Sequence, residues 1–296
     1  MSTTRRGIIL AGGSGTRLHP LTRGVSKQLM PIYDKPMIFY PLCVLMQAGI
    51  REIAIVTMPD QKPLFKALLG DGSQWGCQFV YVEKPRPEGI AQALVLCADF
   101  LEGHDVALIL GDNVFYGHGF DEVVRKAMRQ DAGATVFACH VNDPERYGVV
   151  SFDATGRAVA IDEKPPRPTS PYAVTGLYFF DAEAVGIARG LTPSARGELE
   201  ITDVNRTYLE QGCLHVEVLP PGIAWLDTGT HESLFDAATY IRAVQLRQGL
   251  MVGCPEETAW RQGYIDDAQL ERLAEPLKKN GYGAYLMQLI GKKRCA

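Results

Sequence analysis

Short apolar, β-rich runs alternate with helix-length segments through the first half of the chain, and no other pattern restricts the fold as tightly. GIILA (7–11), REIAIVT (51–57), CQFVYVE (77–83), DVALILGD (105–112) and ATVFACHV (134–141) read as strands. PMIFYPLCVLMQAG (36–49) reads as a helix, with a proline suited to its first turn and a closing glycine. Residues 61–69, GIAQALVLCADFL (89–101) and a segment near 120–130 read as further helices. Apolar runs without polar alternation belong to strands covered on both faces, which implies a parallel sheet between helical layers. In open sheets of that kind, ligands bind beyond the carboxyl ends of the strands. That rule singles out residues 12–17 and 111–113.

The second half changes character. VVSFDATGRAVAIDEK (149–164) predicts a hairpin turning at 154–156, and VTGLYFFD (174–181) and HVEVLPP (215–221) predict strands. Helices are expected at 198–211 and 230–248. The fold class is therefore α/β: a Rossmann-like, mostly parallel central sheet with helices on both faces, a β-hairpin region and a C-terminal helical segment. Without a Ser/Gly linker or internal repeat, residues 1–250 read as one domain with halves of about 1–140 and 141–250. Residues 251–296, with DDAQLERLAEPL (266–277), read as a helical segment for subunit contact or edge covering.

Composition narrows the class. The 296 residues are 46% hydrophobic and 22% charged, with a net charge of −4, which argues against a general nucleic-acid binder. No apolar run reaches the roughly 18–20 residues of a membrane span. Met1 to Arg6 lead straight into a strand, unlike a secretory signal, so a cytoplasmic protein is expected. The seven cysteines (43, 77, 97, 139, 213, 254 and 295) are scattered without a Cys-x-x-Cys pair, as in a reducing compartment. The six histidines are equally dispersed and give zinc no support.

GIILAGGSGTRLHPLT carries the strongest local signal. Gly12, Gly13 and Gly15 lack Cβ atoms, so the backbone N–H groups of the loop through Ser14 and Thr16 can close around phosphate oxygens. Arg17 adds a guanidinium that keeps its charge, and Lys27, in SKQLMP, adds a second cation. A dinucleotide fingerprint would need G-x-G-x-x-G, but Arg17 and Leu18 follow Gly15; a Walker loop would end in Gly-Lys-Ser/Thr, and none occurs. A plain strand-to-loop turn is the other reading of the glycines. Two aspartates follow apolar runs: Asp112 in LILGDN and Asp227 in AWLDTGTH. Carboxylates far apart in sequence suit Mg²⁺, a hard cation that takes oxygen ligands; equally, each could cap a following helix. Glu163-Lys164, beside a proline-rich turn, could be a solvated pair, and Arg196, just before LEITD, part of an ordinary helix start.

LAGGSGTRLHPLT followed by SKQLMPIYDKPMIFYPL closely resembles the sugar-1-phosphate nucleotidylyltransferases. The match continues in order through GIAQAL, LGDNVFYGHGF, PERYGVV, EKP, YAVTGLYF, RGELEITDVNR, WLDTGTH and NGYG, and so spans nearly the whole chain. It implies joining of a nucleoside triphosphate to a sugar 1-phosphate with release of pyrophosphate, and Mg²⁺ held by Asp112 and Asp227. The match is nearest to members that use dTTP and glucose 1-phosphate, making the dTDP-glucose that opens dTDP-L-rhamnose synthesis. By resemblance Arg17, Lys27 and Lys164 act with the two aspartates in catalysis. Gly12, Gly13, Ser14, Gly15, Thr16, Gln28, Lys84 and Gly89 surround the nucleotide. Asn113, Tyr147, Gly148, Glu163, Lys164, Val174, Gly176 and Arg196 bind the sugar phosphate, Lys164 and Arg196 on the phosphate and Glu163 on sugar hydroxyls. The family's homotetramers imply a homo-oligomer.

Two positions depart from the family pattern. Thymidylyl-transferring members usually carry a glutamine where this chain has Lys84. Lysine only donates, so it can meet a thymine carbonyl but cannot accept the ring N–H, which leaves UTP as a rival to dTTP. Many members also bind an end-product nucleotide sugar at a distant site with a basic residue where this chain has Pro220-Pro221, although Gly117 and His118 match. Competing classes are uridylyl transfer to the same sugar phosphate, a catalytically silent nucleotide-binding regulator, and a dinucleotide-dependent oxidoreductase.

Overall fold

The computed structural model describes residues 5–13 and 15–292. The first half runs β1 (Arg6–Ala11), β2 (Pro31–Ile32), β3 (Lys35–Pro36), α1 (Phe39–Gln47), β4 (Glu52–Thr57), α2 (Lys62–Leu69), β5 (Gln78–Glu83), α3 (Gln92–Leu96), α4 (Ala98–Leu101), β6 (Val106–Leu110), β7 (Asn113–Tyr116), α5 (Phe120–Met128) and β8 (Ala134–His140). The second half adds β9 (Gly148–Phe152), β10 (Ala158–Glu163), β11 (Tyr172–Phe180), α6 (Ala184–Gly190), α7 (Ile201–Glu210), β12 (Leu214–Val218), β13 (Ala224–Asp227), α8 (His231–Gln248), α9 (Pro255–Arg261), α10 (Asp267–Ala274) and α11 (Gly281–Leu289).

Among the described residues a nine-stranded sheet forms the centre, with β6, β1, β4 and β5 as neighbouring parallel strands. The apolar runs of β1, β4 and β6 are buried on both sides because their side chains alternate between two cores, whereas β5, at the end of the strand order, is only half-buried. Ile9, Ile53, Ile55 and Ile109 pack with α1, α2, α5 and the C-terminal helices α9–α11 on one face. Ile8, Leu10, Ala54, Val56 and Leu108 pack with α3, α4, α6 and α7 on the other. Each such side chain contributes roughly 1.5–3 kcal/mol on burial, so the unbroken apolar pattern is itself the reason for a two-sided sheet. A third, smaller cluster joins Ile32, Met37, Tyr40 and Val114 to Ala237 and Ile241 of α8.

The fifth expected strand, β8, keeps the direction of the parallel set but does not adjoin it. β11 inserts between β6 and β8, antiparallel to both. β9 also pairs antiparallel with β11, at Ala173, and β12 pairs parallel with β8, so only β11 and β10 run against the other seven strands. Local periodicity cannot foresee this, because β11 arrives from the second half as a long-range insertion.

Several boundaries differ from the sequence reading. Pro36 does not open α1; it pairs with Pro31 in the small β2–β3 ladder, and the helix begins at Phe39 with Pro41 in its first turn. The expected helix at 89–101 is two, α3 and α4, broken at Cys97. β7 and β13 form a two-stranded antiparallel ladder that the alternation pattern missed. No helix among the described residues is long and apolar enough to cross a membrane.

Candidate active site

The two places picked out at the carboxyl edge are brought together because β1 and β6 are neighbours. The Gly111 N–H donates to the Leu10 carbonyl at 2.9 Å, and a Cβ on Gly111 would come within 2.9 Å of Gln28 Cγ. Only glycine lets the buried Gln28 side chain lie across this strand end. Each loop glycine has its own reason. A Cβ on Gly12 would meet Lys84 Cδ at 3.2 Å, so this glycine admits Lys84; Gly15 takes φ +60°, which L side chains rarely adopt; Gly13 is exposed. Thr16 opens a short 3-10 turn that carries Arg17, and Ser14 lies outside the described residues.

The β7–β13 ladder positions the carboxylates. Asn113 faces Asp227 in its register, and Thr228 donates from its hydroxyl to the Asp112 carbonyl at 2.8 Å. Neither aspartate caps a helix: α8 is capped by Thr230, whose side chain accepts from Ser233 N–H, and α5 begins after Gly119. The capping alternative is therefore gone. Lys27 Nζ donates to Asp112 Oδ2, and Asn113 Nδ2 donates to Asp112 Oδ1 at 3.2 Å. Burial pushes the Asp112 carboxyl up, but the Lys27 ammonium and the Asn113 amide override it and hold it below the usual carboxylate range. Asp227 moves the other way: burial and the negative charge of Asp112 raise it, against the cations of Lys27, Arg17 and Arg146. Arg17 is close by, since a Cβ on Gly229 would lie 3.3 Å from both Asp227 oxygens and 3.5 Å from Arg17 Nη1. Arg146 Nη2 stands 3.6 Å from Asp227 Oδ2.

Beside the carboxylates the sheet splits, with β9 pairing to the first part of β11 and β6 to the last. Asn113 fills the fork: its Oδ1 accepts from Gly176 N–H at 3.0 Å and from Trp225 Nε1–H at 2.6 Å. Tyr147 meets Trp225 edge to face at 4.9 Å between ring centroids. Lys164, at the end of β10, adopts φ +44° and donates its N–H to the Tyr147 carbonyl at 3.0 Å. A side chain held in this sparsely populated region is a recurrent sign of a functional position. Glu163 accepts from Thr202 Oγ1 at 2.6 Å and from Arg196 Nη2 at 3.0 Å, and it pairs with Lys164 Nζ at 3.0 Å. Burial pushes its carboxyl up, yet Thr202, Lys164 and Arg196 together hold it below the usual range. A Cβ on Gly148 would meet Thr202 Oγ1 at 3.2 Å, Glu163 Oε2 at 3.7 Å and Val174 Cβ at 3.8 Å, so Gly148, Val174, Thr202 and Glu163 lie side by side. Arg196 is engaged by Glu200 at 2.8 Å and Glu198 at 3.6 Å as well as Glu163.

Lys84 is only 2% exposed, and its Nζ donates to the Gly89 carbonyl. Burial lowers its ammonium to about 8, partly offset by Glu198 and Glu88. Gly89, at φ +97°, lies so near Leu199 that a Cβ would come within 2.3 Å of its carbonyl oxygen. This contact ties the 84–89 loop to the 194–200 segment that carries Arg196. Arg17, Lys27, Asp112 and Asp227 thus lie together in one candidate site, to which Lys164 is joined through Tyr147, Trp225 and Asn113. Arg146, Thr202 and Trp225 also belong to it and were not among the expected residues; Arg146 and Trp225 lie inside PERYGVV and WLDTGTH, but no spacing rule separates them from their neighbours.

The profile of the nucleotidyl transferase family matches residues 6–244. The chain belongs to the nucleotidyl transferase family. It is 60% identical to the glucose-1-phosphate thymidylyltransferase of Xanthomonas campestris pv. campestris over 97% of both chains. It is 57% identical to the enzyme of that name from Neisseria meningitidis, over 97% of this chain and 100% of the relative. A solved structure from Bacillus anthracis assigned the same name, in complex with sucrose, superposes with a TM-score of 0.75 at 41% identity, covering 80% of this chain and 95% of that one. A UDP-glucose pyrophosphorylase complexed with UDP-glucose shares the fold at TM-score 0.72 and 23% identity, over 81% of this chain and 98% of that one.

Proposed function

We propose that this protein joins dTTP and α-D-glucose 1-phosphate to form dTDP-glucose and pyrophosphate. The observation that supports this reading is the convergence of Arg17 and Lys27 on the Asp112–Asp227 pair, with Lys164 paired to Glu163 nearby, in a chain 60% identical to a thymidylyltransferase over nearly its full length. An oxygen of the sugar phosphate attacks the α-phosphorus, the bond from that phosphorus to the β-phosphate bridge oxygen breaks, and pyrophosphate leaves with the electron pair. The nucleophile is already ionised near neutral pH, so no general base is required, and the residues act by alignment and charge neutralisation.

Arg17 holds the leaving pyrophosphate, Lys27 neutralises the reacting phosphate, and Lys164 steers the nucleophile. Glu163 takes sugar hydroxyls from the pocket lined by Asn113, Tyr147, Gly148, Val174 and Gly176. Gly12, Gly13, Gln28, Lys84 and Gly89 surround the base. Arg196 holds Glu163 through Nη2 while leaving donors for the phosphate. Asp112 and Asp227 fit a divalent cation, Mg²⁺ in this reading: both supply hard oxygen donors, and Asp227 carries an unfavourable charge beside Asp112 that a cation relieves. When bound, Mg²⁺ supplies charge neutralisation of the triphosphate. A cytoplasmic homotetramer completes the proposal.

The test is a matrix of dTTP, UTP, ATP and CTP against hexose 1-phosphates, with and without EDTA, reading pyrophosphate release. The expected result is turnover with dTTP and glucose 1-phosphate that EDTA abolishes and Mg²⁺ restores. A clear preference for UTP would overturn the thymidylyl assignment, and absence of pyrophosphate in every cell would overturn the enzyme.

A further inference from the structure

PERYG delivers to the site a cation that the catalytic scheme leaves without a role. Arg146 closes the short 3-10 turn Pro144–Arg146. Nη2 stands 3.6 Å from Asp227 Oδ2, Nη1 donates to Asp143 Oδ2 at 2.6 Å, and the guanidinium lies over the Tyr147 ring, 5.2 Å from its centroid. Tyr147 packs against Trp225, which holds Asn113. Arg146 therefore stands beside both Asp227 and the aromatic wall of the sugar pocket. Its side chain is 39% exposed, so it can turn without breaking a core. Arg196, the cation across the pocket, is already shared among Glu163, Glu198 and Glu200.

We propose that Arg146 is a further substrate ligand: it rests on Asp227 in the free protein and passes to the phosphate of the sugar 1-phosphate when a divalent cation occupies that carboxylate. The inference rests on the function proposed above. A guanidinium keeps its charge and matches two phosphate oxygens, and Tyr147 and Asp143 guide it over a short arc. Metal and sugar phosphate then favour each other's binding, because the first releases the cation that the second requires.

Arg146→Gln and Arg146→Lys test it, using Mg²⁺ titrated into the metal-free protein and glucose 1-phosphate titrated into protein saturated with Mg²⁺ and α,β-methylene-dTTP, both followed by calorimetry. In the glutamine variant, metal affinity is expected to rise about threefold, the scale of an exposed ion pair, and glucose 1-phosphate affinity to fall at least about tenfold, as for a lost charge-assisted contact. The lysine variant is expected to recover part of the phosphate affinity, with melting temperatures of both variants within about 2 °C of wild type. A residue that only shapes the loop would move neither affinity in these directions, so an unchanged value for either ligand overturns the proposal. Wild-type protein that cannot join dTTP to glucose 1-phosphate overturns the functional reading instead; wild-type turnover with an unaltered glutamine variant overturns this inference alone.

Discussion

Single residues in this protein do their work through what their neighbours leave unsatisfied. Lys164 sits at φ +44° directly after β10, and Asp112 carries the Lys27 ammonium. Lys164→Ala and Asp112→Asn are each expected to lower kcat by roughly 10²–10³, the loss seen when a preorganised contact is removed. Unchanged circular dichroism would show the fold intact, and near-normal kcat in either variant would remove that residue from the mechanism. Lys84 poses a stability question. Its ammonium falls from the usual 10.5 to about 8 through burial, so between those values the unfolded chain binds a proton that the folded protein does not. Stability should therefore rise with pH across that window, and below pH 8 the full cost is present. Lys84→Met removes the buried charge. It should be more stable than wild type at pH 7 by roughly 1–3 kcal/mol, the scale of such a shift less the lost bond to Gly89, with the advantage shrinking by pH 10. Urea melts at the two pH values measure it, and a constant difference would contradict the buried-charge account.

At the scale of elements, the short β7–β13 ladder matters more to the site than any long strand. It fixes Asn113 opposite Asp227, and directly after it Thr230 starts α8 with a reciprocal cap in which Ser233 Oγ also accepts from Thr230 N–H. Thr230→Ala should lower stability by about 1 kcal/mol, the usual worth of such a cap. Because the cap lies beyond the ladder, KM for both substrates should stay within about twofold, well under the factor of ten that 1.4 kcal/mol represents; a large rise in KM would mean that the helix start, rather than the ladder, holds the site. The long strands of the parallel set were legible because each is apolar on both faces, as were the β9–β10 hairpin and α7 and α8. The ladder was not: four residues a side give too short a pattern, and its two strands lie more than a hundred positions apart.

For the whole molecule, the C-terminal helices decide how far cooperativity extends. Trp260 in α9, Leu270 in α10 and Leu286 in α11 lie in the same apolar cluster as Phe39, Trp75 and Ile9. Trp260, 1% exposed, also donates to Asp267 at 2.7 Å. Trp260→Ala should cost about 3–5 kcal/mol, as expected for a large buried side chain. It should lower one common unfolding transition rather than create a second. Calorimetry showing an early separate peak would make the segment an independent unit.

The sequence by itself determined the class of fold and the two loop positions at the carboxyl edge. Those follow from short-range rules: burial on both faces makes an apolar strand, and a strand's carboxyl end exposes what comes next. Only the tertiary structure decided the insertion of β11, the fork that Asn113 fills, the clasp of three glutamates on Arg196, and the approach of Arg146 to Asp227. Each of these joins segments from different parts of the chain, and such contacts are chosen by the packing of the whole sheet, which no local window of residues contains.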